Sequence, residues 1–269
     1  MAKKTQALTR WDEKLAAEAQ MATAAVASIG TGGNWISTRN GRLSYKSGEV
    51  PENKMSVIVI DYILENGWYS QPFDPDNPAS PDCYAFGRDT RQMKPHEKAS
   101  NPQGDANGMC IGCEKNQYGS ADRGKGKACA NRIRLAMITE GDMEDIENAE
   151  VAYMKVPPTS QKAWAGYVNQ IAGVLKKPPC AVVTEISVVP HPKTQFQVQF
   201  KLVQAIEDGA ALEALFAKKE QVEREIDFPY QEIVPVEAVA PAPVQRRGQK
   251  VTVKAKPAVR VGAAKAAKY

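Results

Sequence analysis

The fold depends on residues 107–134, NGMCIGCEKNQYGSADRGKGKACANRIR, which contain three of the five cysteines. Together with Cys83, the residues Cys110, Cys113 and Cys129 follow the spacing C-x26-C-x2-C-x15-C. A tight pair with two flanking cysteines is typical of a tetrahedral thiolate zinc site, and Gly112 lets both sulfurs of the pair reach one ion. Four thiolates leave no open coordination position. The sequence therefore predicts a structural rather than a catalytic Zn²⁺.

Two alternatives to this ligand set remain open. The cysteines can be free buried thiols or a disulfide pair, and His96 can replace one sulfur. The chain begins MAKKTQALTRWDEK, without the apolar segment of a secretory signal, and it has no stretch long enough to cross a bilayer. We therefore expect a reduced, cytoplasmic protein with no membrane partner, in which disulfides are disfavoured. Cys180 starts an apolar strand, so we expect it in the core.

Composition divides the chain into a body and two appendages. Residues 1–29 are rich in alanine, with apolar residues at helical spacing, and predict an N-terminal helix. Residues 231–269 are rich in Ala, Pro, Val and Lys with no face to bury, and predict a disordered basic tail. Residues 241–269 hold eight of the 35 basic residues and no acidic one, which leaves 27 basic against 31 acidic residues elsewhere. The tail is a polycation that can bind phosphates, whereas the body, residues 30–230, is mildly acidic.

The pattern of the body predicts a mainly β domain with flanking α-helices. Strands are predicted at 34–46, around the turn dipeptide Asn40-Gly41, and at 55–64, 131–139, 150–156, 181–190 and 194–203. Amphipathic helices are predicted at 157–177 and 208–226. This order favours an OB-like five-stranded Greek-key barrel with a four-cysteine zinc lobe inserted at about residues 65–130. An α+β sandwich with a separate zinc ribbon is the alternative fold.

Several motifs resemble those of a known family. They are PDCYAFG at 81–87, CIGC followed by NQYGS within 110–120, GKGKACANRIRLAMI at 124–138 and VPPTSQKAWAGYV at 156–168. They resemble tailed-bacteriophage proteins of DNA replication and recombination, over roughly residues 30–205. The resemblance implies a zinc-containing single-stranded DNA-binding protein of the host cell cytoplasm, with other replication or recombination proteins as further partners. Many single-strand binders end in an acidic tail that recruits partners. This chain ends in a basic tail, so that mode of recruitment is not implied.

Basic and aromatic residues near the cysteines and on the first strands are candidates for contact with DNA. Proteins hold single strands with a positive groove that follows the phosphates and with rings on which bases stack. Each ring can instead pack in the core, and each charge can instead belong to an ordinary solvated face. The candidate residues are Trp35, Arg39, Arg42, Tyr45, Lys46, Lys115, Tyr118, Arg123, Lys125, Lys127, Arg132 and Arg134.

Other chemistries find less support in the sequence. GKGK at 124–127 lacks the Ser or Thr that a phosphate-binding loop requires after its lysine. Only two histidines are available for acid–base catalysis, and the acidic residues are scattered through loops. We therefore expect a sequence-independent single-stranded DNA-binding protein that is not an enzyme. The alternatives are a zinc-stabilised interaction or regulatory factor of the replication machinery and, less favoured, a metal-dependent nuclease.

Overall fold

A computed structural model describes residues 14–15, 34–46, 48–72 and 79–230. The strands in these residues are β1 (Trp35–Ile36), β2 (Ser44–Tyr45), β3 (Gly48–Glu49), β4 (Lys54–Trp68), β5 (Cys83–Gly87), β6 (Ala130–Thr139), β7 (Ala152–Val156), β8 (Val182–His191) and β9 (Gln195–Ala205). Helix α1 (Gln161–Gln170) lies between β7 and β8, and helix α2 (Gly209–Glu225) follows β9. Lys14 and Leu15 are helical. The rest of the predicted N-terminal helix and the predicted tail lie outside the described residues.

Seven of these strands form one sheet, which is curled into about half a barrel. Its order is β1-β7-β6-β4-β8-β9, and every pairing is antiparallel except that of β1 with β7. β4 is central because β6 pairs with residues 57–67 on one edge, while β8 pairs with 54–57 and β5 with 64–68 on the other. β2 and β3 form a separate hairpin. The prediction of a mainly β fold with a few helices is confirmed.

A β-bulge in β4 decides which side of the sheet each of its residues faces. The register with β6 shifts between Val59 and Asp61. Ile60 and Ile63, which regular alternation would place on opposite faces, belong to the same buried cluster. Glu65 follows Ile63 by two residues, so it also faces the α2 side of the sheet.

The two faces of the sheet are covered by different helices. On one face, Trp164, Tyr167 and Ile171 pack against strand residues such as Val59 and Leu135. This helical segment begins after two prolines, as predicted, and continues beyond α1 as a π-helical turn over Ile171–Leu175.

On the opposite face, α2 covers the sheet with Leu215 and Val222. The helix begins where the sequence predicts, because the Asp208 carboxylate accepts hydrogen bonds from the backbone N–H groups of Ala210 and Ala211 at 3.2 and 3.3 Å.

The segment predicted as an irregular zinc lobe is partly built into the sheet. β4 extends to Trp68, and β5 pairs with the end of β4, with Cys83 opposite Trp68.

The predicted turn at Asn40-Gly41 is present, since Ser37 and Ser44 exchange two backbone hydrogen bonds of 2.9 Å around it. Both turn residues have positive φ, 56° and 72°.

Candidate nucleic-acid interface

The four cysteines of the predicted zinc site line one small cavity. Cys83 is the first residue of β5, Cys129 immediately precedes β6, and Cys110 and Cys113 lie in the loop between these strands. All four thiols are buried and free, and the cavity has a volume of about 10 Å³. In the described part of the chain, no three His, Cys, Asp or Glu side chains have the arrangement of a formed metal centre.

Hydrogen-bond donors point at three of these sulfurs. They are the backbone N–H of Gln103 to Cys83 Sγ (3.2 Å), the Asn66 amide to Cys110 and the backbone N–H of Gly67 to Cys129. Such donors favour the thiolate form. Burial acts in the opposite direction and raises the pKa of Cys110 to about 11 and that of Cys129 to about 12. Without a metal these groups are thiols, so a metal that binds here displaces protons.

Neither His96, the alternative ligand, nor Cys180 lines this cavity. His96 stacks on Tyr84 with 4.9 Å between ring centroids, and its Nδ1 accepts a hydrogen bond from the backbone N–H of Lys98 at 3.1 Å. Cys180 is buried at the start of β8, as expected for a core residue. The cavity is lined by four cysteines and no histidine among the described residues.

A pocket of about 750 Å³ opens beside β1, and we call it the Trp35 pocket. Its described lining contains two rings, three cations and no carboxylate. The residues are Trp35, Ile36, Ser37, Thr38, Arg39, Tyr69, Arg132 and Lys155. The wall thus combines flat aromatic surface with positive charge.

Rings and cations of the Trp35 pocket are in direct contact. Lys155 Nζ lies 5.0 Å from the Trp35 ring centroid. The Tyr69 hydroxyl is hydrogen-bonded to Arg132, and burial raises the pKa of Tyr69. Tyr69 is still 38% exposed, so its ring remains accessible from the pocket.

A buried carboxylate holds Lys155 at the edge of this pocket. Glu65 Oε1 lies 3.2 Å from Lys155 Nζ, and Glu65 Oε2 lies 2.7 Å from Arg134 Nε. The Tyr230 hydroxyl also donates a hydrogen bond to Glu65. Burial alone would raise the pKa of Glu65, but the two cations and the Tyr230 hydrogen bond hold it below its usual value. Burial lowers the pKa of Lys155, and Glu65 opposes that effect.

Arg134 was predicted to contact DNA, and this prediction is corrected because the side chain is buried. Arg134 is 1% exposed, and its guanidinium lies between the rings of Phe86 and Phe228, 4.3 Å from each centroid. It donates hydrogen bonds of 3.0 Å to the carbonyl oxygens of Ile226 and Phe228. The segment that follows α2 therefore covers Arg134. Arg132, two residues earlier on the same face of β6, lies outside that cover and lines the Trp35 pocket.

A second pocket, of about 410 Å³, shares Arg132 with the first. We call it the amide pocket because five side chains that line it are carboxamides, namely Asn66, Asn116, Gln117, Asn131 and Gln161. Its other described lining residues are Leu64, Thr90, Ile111, Tyr118, Lys127 and Arg132. Tyr118 is 84% exposed, and Lys127 Nζ lies 5.2 Å from its ring centroid.

The remaining predicted DNA-contact residues lie outside both pockets. Lys115 Nζ lies over the Trp68 ring at 5.2 Å, next to the cysteine cavity. The others are Arg42, which pairs with Glu49 at 2.6 Å, Lys46, which pairs with Glu150 at 2.9 Å beside Tyr45, and the exposed Arg123 and Lys125. The structure thus gathers five of the predicted residues at the pockets: Trp35, Arg39, Tyr118, Lys127 and Arg132.

Lys155, Tyr69 and Gln161 are among the pocket residues that were not predicted. Lys155 had a usable signal, because alternation along β7 places it on the same face as Tyr153. Tyr69 directly follows the end of β4, and Gln161 is the first residue of α1. Nothing in their local sequence indicates that the fold brings them to a pocket.

No family model, curated protein or solved structure matches the chain. None of the helices in the described ranges is long and apolar enough to span a membrane. A functional proposal therefore depends on the geometry of the pockets and on the motifs of the sequence.

Proposed function

We propose that this chain binds single-stranded DNA without requiring a particular sequence, contains a structural Zn²⁺ and is not an enzyme. The observation that carries the proposal is the wall of the Trp35 pocket, where two rings and three cations occur with no carboxylate among the described lining residues. Cations attract phosphates, and rings accept stacked bases. Phage DNA replication or recombination in the host cytoplasm is the setting that the sequence motifs imply.

The rings of the pocket favour unpaired bases. In a duplex each base face is covered by the next base pair, so only the phosphates and the groove edges are accessible. Trp35 is held in place by Tyr153 and Phe228, with ring centroids at 5.6 and 6.0 Å. A ring fixed in this way loses little conformational entropy when a base stacks on it.

The Trp35 pocket keeps a positive charge although Glu65 lies next to Lys155. This single carboxylate is shared between Arg134 and Lys155, so the buried cluster retains one net positive charge. Glu65 also fixes the position of the Lys155 ammonium group. Lys155 is therefore available to a phosphate at a defined place beside the Trp35 ring.

We assign the Zn²⁺ to Cys83, Cys110, Cys113 and Cys129. Four thiols around one cavity, with N–H donors at three sulfurs, have the donor chemistry of a structural zinc site. A bound ion supplies a crosslink between β5, the following loop and the start of β6. The same loop carries Asn116 and Tyr118 into the wall of the amide pocket. Loss of the ion would therefore loosen that wall.

The strand order supports an OB-like domain. The five long strands follow the order β7-β6-β4-β8-β9, and α1 lies between β7 and β8. This is the order of a five-stranded Greek-key barrel that is open between β7 and β9. The Cys-containing loop then connects the first two strands of that barrel.

Fluorescence anisotropy with single-stranded and duplex oligonucleotides at two salt concentrations tests the proposal. We expect tighter binding of single strands and weaker binding at higher salt. Tyr69→Leu should weaken single-strand binding by about 1–3 kcal/mol, because a stacking surface is lost. Phe216→Leu is the matched control, since Phe216 is 48% exposed on α2 and lines neither pocket.

Two results would contradict the proposal. Equal or tighter binding of the duplex, or no binding at low salt, would favour the interaction-factor alternative. Mg²⁺-dependent cleavage of the same oligonucleotides would instead indicate a nuclease.

A further inference from the structure

The amide pocket differs from the Trp35 pocket in the groups that it offers. Its wall is formed by β4, the start of β6, the cysteine loop and the first residue of α1. Carboxamides and two cations line it, and its described lining includes no carboxylate. Hydrogen-bonding groups of this kind read the edges of bases, whereas stacking rings do not.

A fixed hydrogen-bond network forms the back of the amide pocket. Asn131 Nδ2 donates to Asn66 Oδ1 at 2.6 Å and to Asn116 Oδ1 at 3.0 Å. Lys127 Nζ donates to the amide oxygens of Asn131 and Asn116 at 2.9 and 3.1 Å. Both amide protons of Asn131 are thus used. The three asparagine side chains are therefore supports rather than ligand-binding groups.

Gln161 is the carboxamide with hydrogen-bonding capacity left for a ligand. Its Nε2 donates to the backbone oxygen of Asn131 at 2.8 Å, which fixes the side chain. Among the described residues this is the one hydrogen bond of the Gln161 side chain, so its Oε1 and its second N–H remain. An amide presents an acceptor and a donor side by side. That arrangement is complementary to the pairing edge of any unpaired base, since each presents a donor next to an acceptor, so Gln161 provides affinity and the choice between bases depends on the cations of the pocket.

We propose that the amide pocket binds one unpaired keto base, thymine or guanine, stacked on Tyr118 with its imide edge against Gln161. This inference rests on the proposed single-strand binding and adds a base-selective subsite to it. The ring N–H of the base donates to Gln161 Oε1, and its carbonyl oxygen accepts from Gln161 Nε2. The Tyr118 ring is the exposed aromatic surface of the pocket.

The cations of the pocket favour keto bases over amino bases. Lys127 uses two of its three N–H groups on the asparagines, and Arg132 adds a guanidinium. Thymine and guanine present carbonyl oxygens that accept from such donors. Cytosine and adenine present an amino group, which would point its hydrogens at donors and leave them without acceptors.

Anisotropy with oligo(dT) and oligo(dC) of equal length tests the subsite, because the two bases have nearly the same shape and differ in the group, a carbonyl oxygen or an amino group, that meets Lys127 and Arg132. The full-length, zinc-loaded protein should bind oligo(dT) about fivefold more tightly, as expected for one or two net hydrogen bonds. Lys127→Met should bring this ratio close to one. Gln161→Leu should weaken binding of both oligonucleotides, whereas Gln170→Leu, a change of an exposed glutamine at the other end of α1, should alter neither affinity.

Tyr118→Leu separates stacking from edge recognition. It should weaken binding of both oligonucleotides by similar factors and leave their ratio unchanged. Equal affinities for oligo(dT) and oligo(dC) in the wild type, or an unchanged ratio in Lys127→Met, would overturn the subsite while single-strand binding stands. Absence of binding to either strand would refute the proposed function itself, and the subsite with it.

Discussion

Two arginines on one face of β6 should have different roles, one in stability and one in DNA binding. Substituting each of them in turn is the sharpest test of the site. Arg132 lines both pockets, whereas Arg134 is buried against Glu65 and the segment after α2. We expect Arg134→Met to destabilise the fold with little direct effect on DNA contacts. Arg132→Met should do the reverse.

The contacts of each arginine determine the size of its effect. Arg134 makes one charged bond to Glu65 and a hydrogen bond to the Ile226 carbonyl, both buried, and a partly buried hydrogen bond to the Phe228 carbonyl, all at 2.7 to 3.0 Å. Removing one partner of a buried ion pair costs about 3–5 kcal/mol, because the other charge stays buried. Methionine keeps most of the apolar contact with Phe86 and Phe228. Arg132→Met should change the free energy of unfolding by less than about 0.5 kcal/mol.

Urea unfolding followed by circular dichroism measures the first effect, and anisotropy at several salt concentrations measures the second. Arg132→Met should lower the salt slope of single-strand binding by about 0.7 units, the value for one lost phosphate contact. If Arg134→Met does not fold, Arg134→Lys keeps the charge, loses the planar fork and should show a smaller destabilisation. An Arg134→Met variant that is as stable as wild type but does not bind DNA would refute this assignment.

Three further predictions concern the metal, the buried carboxylate and the tail. Cys113→Ser should lose about one bound zinc per chain by metal analysis, whereas His96→Ala should retain it; zinc retained in Cys113→Ser would exclude the four-cysteine site. The pKa of Glu65 is lower in the folded than in the unfolded chain, so its stabilising effect is present above about pH 4.3 and is lost as the pH falls through the folded pKa. Glu65→Gln should therefore flatten the loss of stability in acid, measured by urea unfolding at a series of pH values. Truncation after Ala240 should flatten the salt dependence of DNA binding but preserve the preference for single strands; an unchanged slope would exclude the tail from phosphate contact.

Local sequence patterns predicted the elements of the fold well. Strict alternation along residues 194–203 corresponds to β9, and Asp208 caps α2 where its position before an amphipathic run indicates. Cysteine spacing predicted that four residues converge, and they line one cavity, as thiols that share a ligand must. In each of these cases the signal lies within a short stretch or in a small set of chemically distinctive residues.

The binding surface was less accessible to sequence reasoning. Glu65 contacts Arg134 at a separation of 69 residues and Tyr230 at a separation of 165 residues. Such pairings depend on strand register, which periodicity does not specify. Arg132 and Arg134 look equivalent in the sequence, and only the position of the segment after α2 distinguishes them. Charge alone therefore did not distinguish the buried Arg134 from Arg132, which lines both pockets.

The bulge between Val59 and Asp61 adds one residue to β4 and so shifts the inward–outward alternation of the rest of the strand by one position. Every side chain beyond it faces the side opposite to the one that regular alternation would give. If the same residues alternated regularly, without the bulge, Glu65 would be turned away from Lys155 and Asn66 away from Cys110 and Asn131. The two pockets and the cysteine cavity would be disrupted together. Which side chains of β4 reach the pockets and the cysteine cavity thus depends on the extra residue at the bulge as well as on the chemistry of those side chains.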